Sequence, residues 1–347
     1  MENTDKCRRQ ISLISISFLR TISPFLGIYT LLSLLPAFFS SCSEDIAGIS
    51  EKVQKDIGIF ISDETVLIRN LDVFIFMDDK MEKLECYQRI DDVKSWNRKV
   101  LSGTGDRIIA VCANSGNERE RWLEVSSRAY LKGMSRSLED ENRQCLFMFG
   151  EVYAKAGSTA EIPLHPISSE IVLRSISCDF SGKPYSGEKL KDVRVYLTNV
   201  NAECRIFPEG YVKPTRIINS GRLDEDDLQK FNDPSLIMQN LDKDIGKQTI
   251  YPDIRLLCYP NNSSEESPGT PFTRIVIEGK VGEDIYYWPL EINSDGDGIT
   301  MNHRYIFDVK ITRKGSTDPD IPIELKDAEI IFTATSWEEK EDCTIEF

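Results

Sequence analysis

Apolar and polar residues alternate along much of this chain, and a period of two predicts β-strands rather than helices. The clearest example runs from Tyr305 to Thr312, where every second residue is a large apolar one. Turn-forming clusters separate further strand candidates at 56–62, 70–76, 107–112, 145–149, 170–179, 193–200, 274–278, 285–292 and 329–335. Short strands joined by turns predict a mainly β protein built from antiparallel sandwiches.

Only one segment has convincing helical periodicity. Asn117 followed by Glu120 resembles a capping box, and Leu123, Tyr130 and Leu138 then fall at helical spacing. The sequence therefore predicts a helix whose apolar face packs on a sheet. A second helical stretch, 224–245, is broken near a proline, so the prediction is one or two short helices.

The N-terminal segment has a different composition. A cationic start precedes an apolar stretch from Thr21 to Phe39, two serines follow, and Cys42 comes immediately before polar sequence. This arrangement resembles a bacterial lipoprotein signal, in which the cysteine thiol is acylated and becomes the first residue of the mature protein. The alternative is a transmembrane anchor, because the apolar stretch is about long enough to span a bilayer. The small residues before Cys42 favour lipidation.

The chain is expected to divide into three parts. Residues 1–41 form the expected signal peptide. Glycine and proline residues interrupt the strand pattern between about 154 and 168, and a boundary there predicts an N-terminal β-sandwich domain at 42–160 and a C-terminal one at 161–347.

Composition indicates which partner the chain avoids and how its cysteines are used. The chain has 42 Lys and Arg against 57 Asp and Glu, a formal net charge of −15, so it repels nucleic acid. Its nine cysteines include no C-x-x-C pair, and several lie inside apolar runs. We expect small buried apolar side chains rather than a disulfide framework, and the sequence leaves any disulfide pairing open.

Residues suited to catalysis or metal binding are scarce. The chain has two histidines, and no nucleophile elbow or P-loop follows a predicted strand. Residues 293–298 begin like a calcium loop, but Arg304 stands where such a loop needs Glu, so a hairpin turn is favoured. The triplet 286–288 is a candidate sugar-stacking platform, yet adjacent strand residues face opposite sides. The sequence therefore predicts a protein that is not an enzyme and that binds neither a metal ion nor a cofactor.

Several segments, in order along the chain, together resemble the fimbrillins, the lipoprotein-derived subunits of Bacteroides-type pili. They are Cys42 with the residues before it, 70–79, 171–178, 195–200, 258–262, 273–279, 286–289, 305–320 and 336–337. The resemblance implies two transthyretin-like antiparallel β-sandwich domains, no catalytic site, and other fimbrial subunits as partners. It also implies a surface lipoprotein, held in the outer membrane by lipid on Cys42 and located in a fimbrium.

The resemblance further implies how the subunits assemble. In such pilins a protease cuts after an Arg behind the first strand, and a neighbour's terminal strand fills the groove that this strand leaves. Here Ile57, Ile59 and Ile61 mark the expected groove edge, and Arg69 is the candidate processing site. The connection before Arg69 contains no Lys or Arg, and Arg69 is expected in or beside the next strand, where a protease has poor access. An anchor at the fibre base is therefore favoured over a stalk or tip subunit.

A protein of another class would share many of these features. A surface glycan-binding lipoprotein of an outer-membrane uptake system would also be lipidated, acidic and mainly β. Its partner would be an oligosaccharide, whereas a fimbrial subunit should co-purify with fibres. A ligand on a host or bacterial surface stays open for either class.

Overall fold

The computed structural model describes residues 55–61, 67–91, 99–102, 105–116, 119–155, 159–207, 210, 212–263, 271–292, 298–321 and 328–336. Within these residues the chain is mainly β, with several antiparallel sheets and three short helices. The predicted mainly β sandwich fold is therefore confirmed. All of these residues belong to one compact unit that starts at Lys55.

The elements follow one another along the chain as short strands with few helices between them. The strands are β1 (Lys55–Ile61), β2 (Leu71–Met77), β3 (Leu84–Ile90), β4 (Lys99–Ser102), β5 (Arg107–Ala113), β6 (Ser135–Ser137), β7 (Met148–Ala154), β8 (Thr159–Ile162), β9 (His165–Pro166), β10 (Ser169–Cys178), β11 (Lys191–Thr198), β12 (Val200–Asn201), β13 (Glu203–Arg205), β14 (Ile217–Ile218), β15 (Met238–Asn240), β16 (Ile254–Cys258), β17 (Arg274–Val281), β18 (Asp284–Glu291), β19 (His303–Ile311) and β20 (Ala328–Ser336). The helices are α1 (Arg119–Trp122), α2 (Arg128–Gly133) and α3 (Glu225–Leu228), and single 3-10 turns lie at Leu138–Asp140 and Pro234–Leu236.

The five-stranded sheet β3-β2-β5-β7-β9 is covered on both faces. On β2, Val73 and Ile75 are buried in one core cluster, to which Ile162 of β8 also belongs. Phe74 belongs to the other core cluster and meets Trp122 of α1 edge-on, with 5.7 Å between ring centroids. Successive side chains of a strand point to opposite faces, so β2 is apolar on both sides.

The C-terminal part consists of the four-stranded sheets β16-β10-β19-β20 and β15-β11-β17-β18. β10 and β19 pair in parallel with a register shift between Leu173 and Ser175, whereas β11, β17 and β18 pair antiparallel. The strand predicted from Tyr305 is present as β19, and its alternate apolar residues are buried. The shared core between the two sheets includes Ile171, Leu173, Val195, Leu197, Ile275, Ile277, Tyr305 and Phe307.

A short two-stranded sheet joins the N-terminal and C-terminal strands. β6 pairs antiparallel with β13, and Cys204 is in register with Arg136. Close to β6, the buried carboxylate of Glu141 accepts a hydrogen bond from the hydroxyl of Tyr259, at 2.8 Å. Tyr259 directly follows β16, so this contact ties the C-terminal sandwich to the segment before β7.

The predicted helix that ends at Leu138 is wrong in its length. The structure instead has α1, α2 and strand β6 in this segment. Ser127 is the N-cap of α2, since its side chain accepts a hydrogen bond from the backbone N–H of Tyr130 at 3.2 Å. Pairing with β13 then overrides helical periodicity in β6. Leu123 and Tyr130 are exposed, so they do not form the packed face that their spacing predicts, and Asn117 lies outside the described residues.

The second helical stretch is broken as predicted. α3 ends at Leu228, a 3-10 turn begins at Pro234, and β15 follows. Asp233 caps this turn by accepting a hydrogen bond from the backbone N–H of Ser235 at 3.1 Å. Short segments with separate caps replace one continuous helix.

Six cysteines lie among the described residues, and five of them are buried. This agrees with the expectation of small buried apolar side chains. The predicted signal peptide, 1–41, and Cys343 lie outside the described residues. The boundary between residues 160 and 161 stays a prediction.

Candidate strand-exchange site

Strand β1 is the central strand of the three-stranded sheet β4-β1-β8. Along its first half it pairs antiparallel with β4, where Ile57 is in register with Val100. Along its second half it pairs parallel with β8, where Ile59 is in register with Ala160. The predicted groove residues Ile57, Ile59 and Ile61 thus all belong to one strand that is paired on both sides. Without β1, both β4 and β8 would present an unpaired edge.

The partner strand β8 is fixed in the core of the N-terminal part. Ala160 and Ile162 are 6% and 0% exposed, and both belong to the cluster that contains Leu71, Val73 and Ile75 of β2. Ile162 is in register with Ile61. An edge left open on β8 would therefore place free backbone N–H and C=O groups beside a packed apolar core. An added strand can pair with those groups and cover the apolar surface.

Arg69, the candidate processing site, lies two residues before β2 and is exposed. Its guanidinium donates to Oε1 of Gln144 at 3.4 Å. Its backbone N–H donates to Oδ1 of Asn114 at 2.8 Å. This position agrees with the expectation that Arg69 lies beside the next strand. The side chain of Arg69 is nevertheless open to solvent. Whether the chain is cleaved after Arg69 stays a prediction.

Asn114 is a residue at this site that the sequence did not single out. It follows β5 with a φ of +59°, a left-handed conformation that asparagine adopts more readily than most residues. Its side-chain amide donates to the carbonyl oxygens of Leu67 at 3.0 Å and Leu146 at 2.8 Å. The only signal in the sequence is an Asn-Ser-Gly turn after a predicted strand, which does not reveal its partners.

The lipidation candidate Cys42 lies outside the described residues, as do residues 293–297 of the calcium-like loop. Among the described residues, no helix is long and apolar enough to cross a membrane. The same part of the chain contains no group of three or more His, Cys, Asp or Glu side chains that could hold a metal ion.

A polar recess of about 530 Å³ lies on the sheet that contains β11 and β17. Arg194, Tyr196 and Glu278 line it together with residues 220–223 and 317–320. The guanidinium of Arg194 donates to Oε1 of Glu278 at 2.6 Å. Burial, aided by the Glu278 carboxylate, raises the pKa of Tyr196, so its hydroxyl stays protonated. The recess thus offers both donors and acceptors to a polar ligand.

The aromatic triplet 286–288 is divided between the two faces of its strand, as its alternation predicts. Tyr287 lines the polar recess. Trp288 is fully buried, and its Nε1 donates to the carbonyl of Arg313 at 3.2 Å. Tyr286 packs against the core. The triplet therefore presents one aromatic residue, not three, to a ligand in the recess.

No family model matches this chain, and no curated protein matches it in sequence. Solved structures do share its fold. A protein of Bacteroides eggerthii assigned to cell adhesion has a TM-score of 0.64 at 18% identity, over 82% of this chain and 96% of that one. A protein of Parabacteroides distasonis with the same assignment has a TM-score of 0.59 at 14% identity, over 84% and 99% of the two chains. The fimbrillin FimA of Porphyromonas gingivalis has a TM-score of 0.58 at 13% identity, over 82% and 98%.

The chain therefore has the fold of the fimbrillin-like cell adhesion proteins over most of its length. The resemblance to fimbrillins that the sequence predicts is confirmed at the level of the fold.

Proposed function

We propose that this protein is a structural subunit of a cell-surface fimbria rather than an enzyme. The observation that carries the proposal is the fold that it shares with the fimbrillin FimA over 82% of the chain. Its net negative charge suits a partner other than nucleic acid. Other fimbrial subunits are its main partners under this proposal.

Strand exchange is the proposed mode of assembly. β1 pairs with β4 on one side and β8 on the other, so its departure frees backbone N–H and C=O groups on two strands at once. A terminal strand from a neighbouring subunit would restore those hydrogen bonds and cover the apolar core beside Ile162. An incoming strand that runs in the direction of β1 would pair antiparallel with β4 and parallel with β8, as β1 itself does.

Within the fimbria, the base anchor is the proposed position. An acylated Cys42 would hold the subunit in the outer membrane, since stable attachment takes about two lipid chains and a triacylated cysteine exceeds this. Such an anchor must keep the chain between Cys42 and the folded part intact. The hydrogen bonds that hold the backbone at Arg69 support a subunit that is poorly processed.

Immunogold electron microscopy of the native bacterium tests this function. An epitope tag placed in the exposed turn at Ser181 and Gly182 avoids both β1 and the chain ends. We expect gold at the cell-proximal ends of fibres. Gold along fibre shafts would contradict the anchor role, and gold on the cell surface with none on fibres would contradict the fimbrial function itself.

The polar recess on β11 and β17 favours glycan binding as the second candidate function. It combines the aromatic side chain of Tyr287 with charged groups that can bind hydroxyls. Affinity electrophoresis against a panel of neutral oligosaccharides separates the two functions. Retardation that is lost in Tyr287→Ala would support a glycan-binding lipoprotein, whereas unchanged mobility on every glycan would leave the fimbrial subunit as the better account.

A further inference from the structure

We infer that the side chain of Asn114 is a clamp that protects the Arg69–Asn70 peptide bond from proteolysis and so keeps β1 attached to the protein. The inference rests on the proposed function only in taking Arg69 as the processing site. Its physical content, which is the resistance of one peptide bond to a protease, does not depend on fibre formation.

The carboxamide of Asn114 binds the backbone of residues 67–69 as a neighbouring strand would. Its Oδ1 accepts the N–H of Arg69 at 2.8 Å, and its Nδ2 donates to the carbonyl of Leu67 at 3.0 Å. The backbone N–H of Asn114 also donates to the carbonyl of Asn70 at 3.0 Å. The two residues that flank the candidate bond are therefore both hydrogen-bonded to Asn114.

The clamp is itself held rigidly. Asn114 is 7% exposed, and its Nδ2 also donates to the carbonyl of Leu146 at 2.8 Å, which lies in the buried segment before β7. Its neighbour Ser115 donates from backbone N–H to Oδ1 of Asn70 at 3.2 Å and from its hydroxyl at 3.1 Å. Residues 114–115 thus fix the segment on both sides of the candidate bond.

A protease must take the same backbone groups for itself. Endoproteases bind their substrate as an extended strand, through main-chain hydrogen bonds around the bond that they cut. The exposed side chain of Arg69 can enter a specificity pocket, but the backbone of residues 67–70 is available only after the clamp opens. Cleavage is then governed by the population of the locally opened state.

Limited digestion of the full chain, extracted from membranes, with an arginine-specific endoprotease tests the clamp. The rate at which a new N-terminus at Asn70 appears is followed by mass spectrometry. Asn114→Gly removes the carboxamide while glycine keeps the left-handed backbone. The loss of these hydrogen bonds should raise the cleavage rate after Arg69 by about tenfold or more. Asn114→Asp, which keeps the acceptor for the N–H of Arg69, should fall between the wild type and Asn114→Gly.

Asn219→Gly is the matched control. Asn219 is also left-handed, with a φ of +48°, and fully buried. Its carboxamide donates to the carbonyl of Leu197 at 2.9 Å and accepts the N–H of Asp224 at 3.0 Å, beside the exposed Arg222. Asn114→Gly should speed cleavage after Arg69 and leave cleavage after Arg222 unchanged.

Two results would overturn the clamp. The first is a cleavage rate after Arg69 that is equal in the wild type and in Asn114→Gly. The second is an equal rise after Arg69 in Asn219→Gly, which would assign the effect to general destabilisation. Neither result bears on the fimbrial function, because the digestion needs no fibre and no partner subunit.

Discussion

Among single residues, Glu141 shows how a buried charge is held in this acidic protein. Burial raises the pKa of Glu141. Its carboxylate accepts hydrogen bonds from the hydroxyl of Tyr259 at 2.8 Å and from the backbone N–H of Phe147 at 3.1 Å, and Nε of Arg136 lies 3.8 Å away. The hydrogen bond from Tyr259, which follows β16, joins the C-terminal strands to the segment before β7, whereas the one from Phe147 stays within that segment.

Tyr259→Phe tests this contact. The substitution keeps the ring and removes one donor to a buried carboxylate, so the free energy of unfolding should fall by about 1–3 kcal/mol. Chemical denaturation measures the change. Tyr251→Phe is the control, because Tyr251 is 75% exposed, and there the change should stay within about 0.5 kcal/mol. Equal effects of the two substitutions would argue against a specific role for Tyr259.

At the level of elements, β7 closely approaches the end of β8. This contact helps to hold the three-stranded sheet β4-β1-β8 in place. A Cβ on Gly150 of β7 would lie 2.2 Å from the carbonyl oxygen of Pro163 and 2.8 Å from Cγ2 of Ile162. Only a glycine leaves room for this approach. Because β8 also pairs with β1, the contact at Gly150 positions one wall of the proposed groove.

Gly150→Ala should therefore displace the end of β8. Because the clash is with backbone as well as with a side chain, the free energy of unfolding should fall by about 2–3 kcal/mol, the upper part of the range for overpacking. Gly187→Ala is the control, since a Cβ there meets nothing within 4 Å, and its effect should be neutral or slightly stabilising. A neutral Gly150→Ala would show that β8 is not held at this point.

For the whole molecule, the period-two pattern was enough to predict the fold class but not the neighbours of each strand. β2, β5, β10 and β19 were all visible as alternating or continuous apolar runs. β8 is four residues long, too short to show a period, and its importance comes from pairing with β1.

The helix prediction and the missed clamp have one cause in common. Helical spacing up to Leu138 was overridden by the pairing of β6 with β13, which lies far away in the sequence. Asn114 acts on Leu67 and Arg69, more than forty positions earlier. Contacts of this range depend on the packed fold, and local pattern does not encode them.

The proposed membrane attachment also concerns the whole molecule, and Cys42→Ala tests it. Without the thiol no acyl chain can be added, so the protein should move from the membrane pellet to the soluble fraction of the cell. Fractionation followed by immunoblotting measures this, and Ser40→Ala, which keeps Cys42 and a small residue before it, is the control. Unchanged membrane retention of Cys42→Ala would favour the transmembrane anchor instead.

Mass spectrometry of the mature N-terminus, on protein taken from its native cell surface, tests the central claim most directly. A base anchor that keeps β1 behind an intact Asn114 clamp should begin with an acylated Cys42. A chain that begins at Asn70 would contradict this account, because Arg69 would then be cut, β1 lost, and the subunit free to polymerise as a stalk or tip.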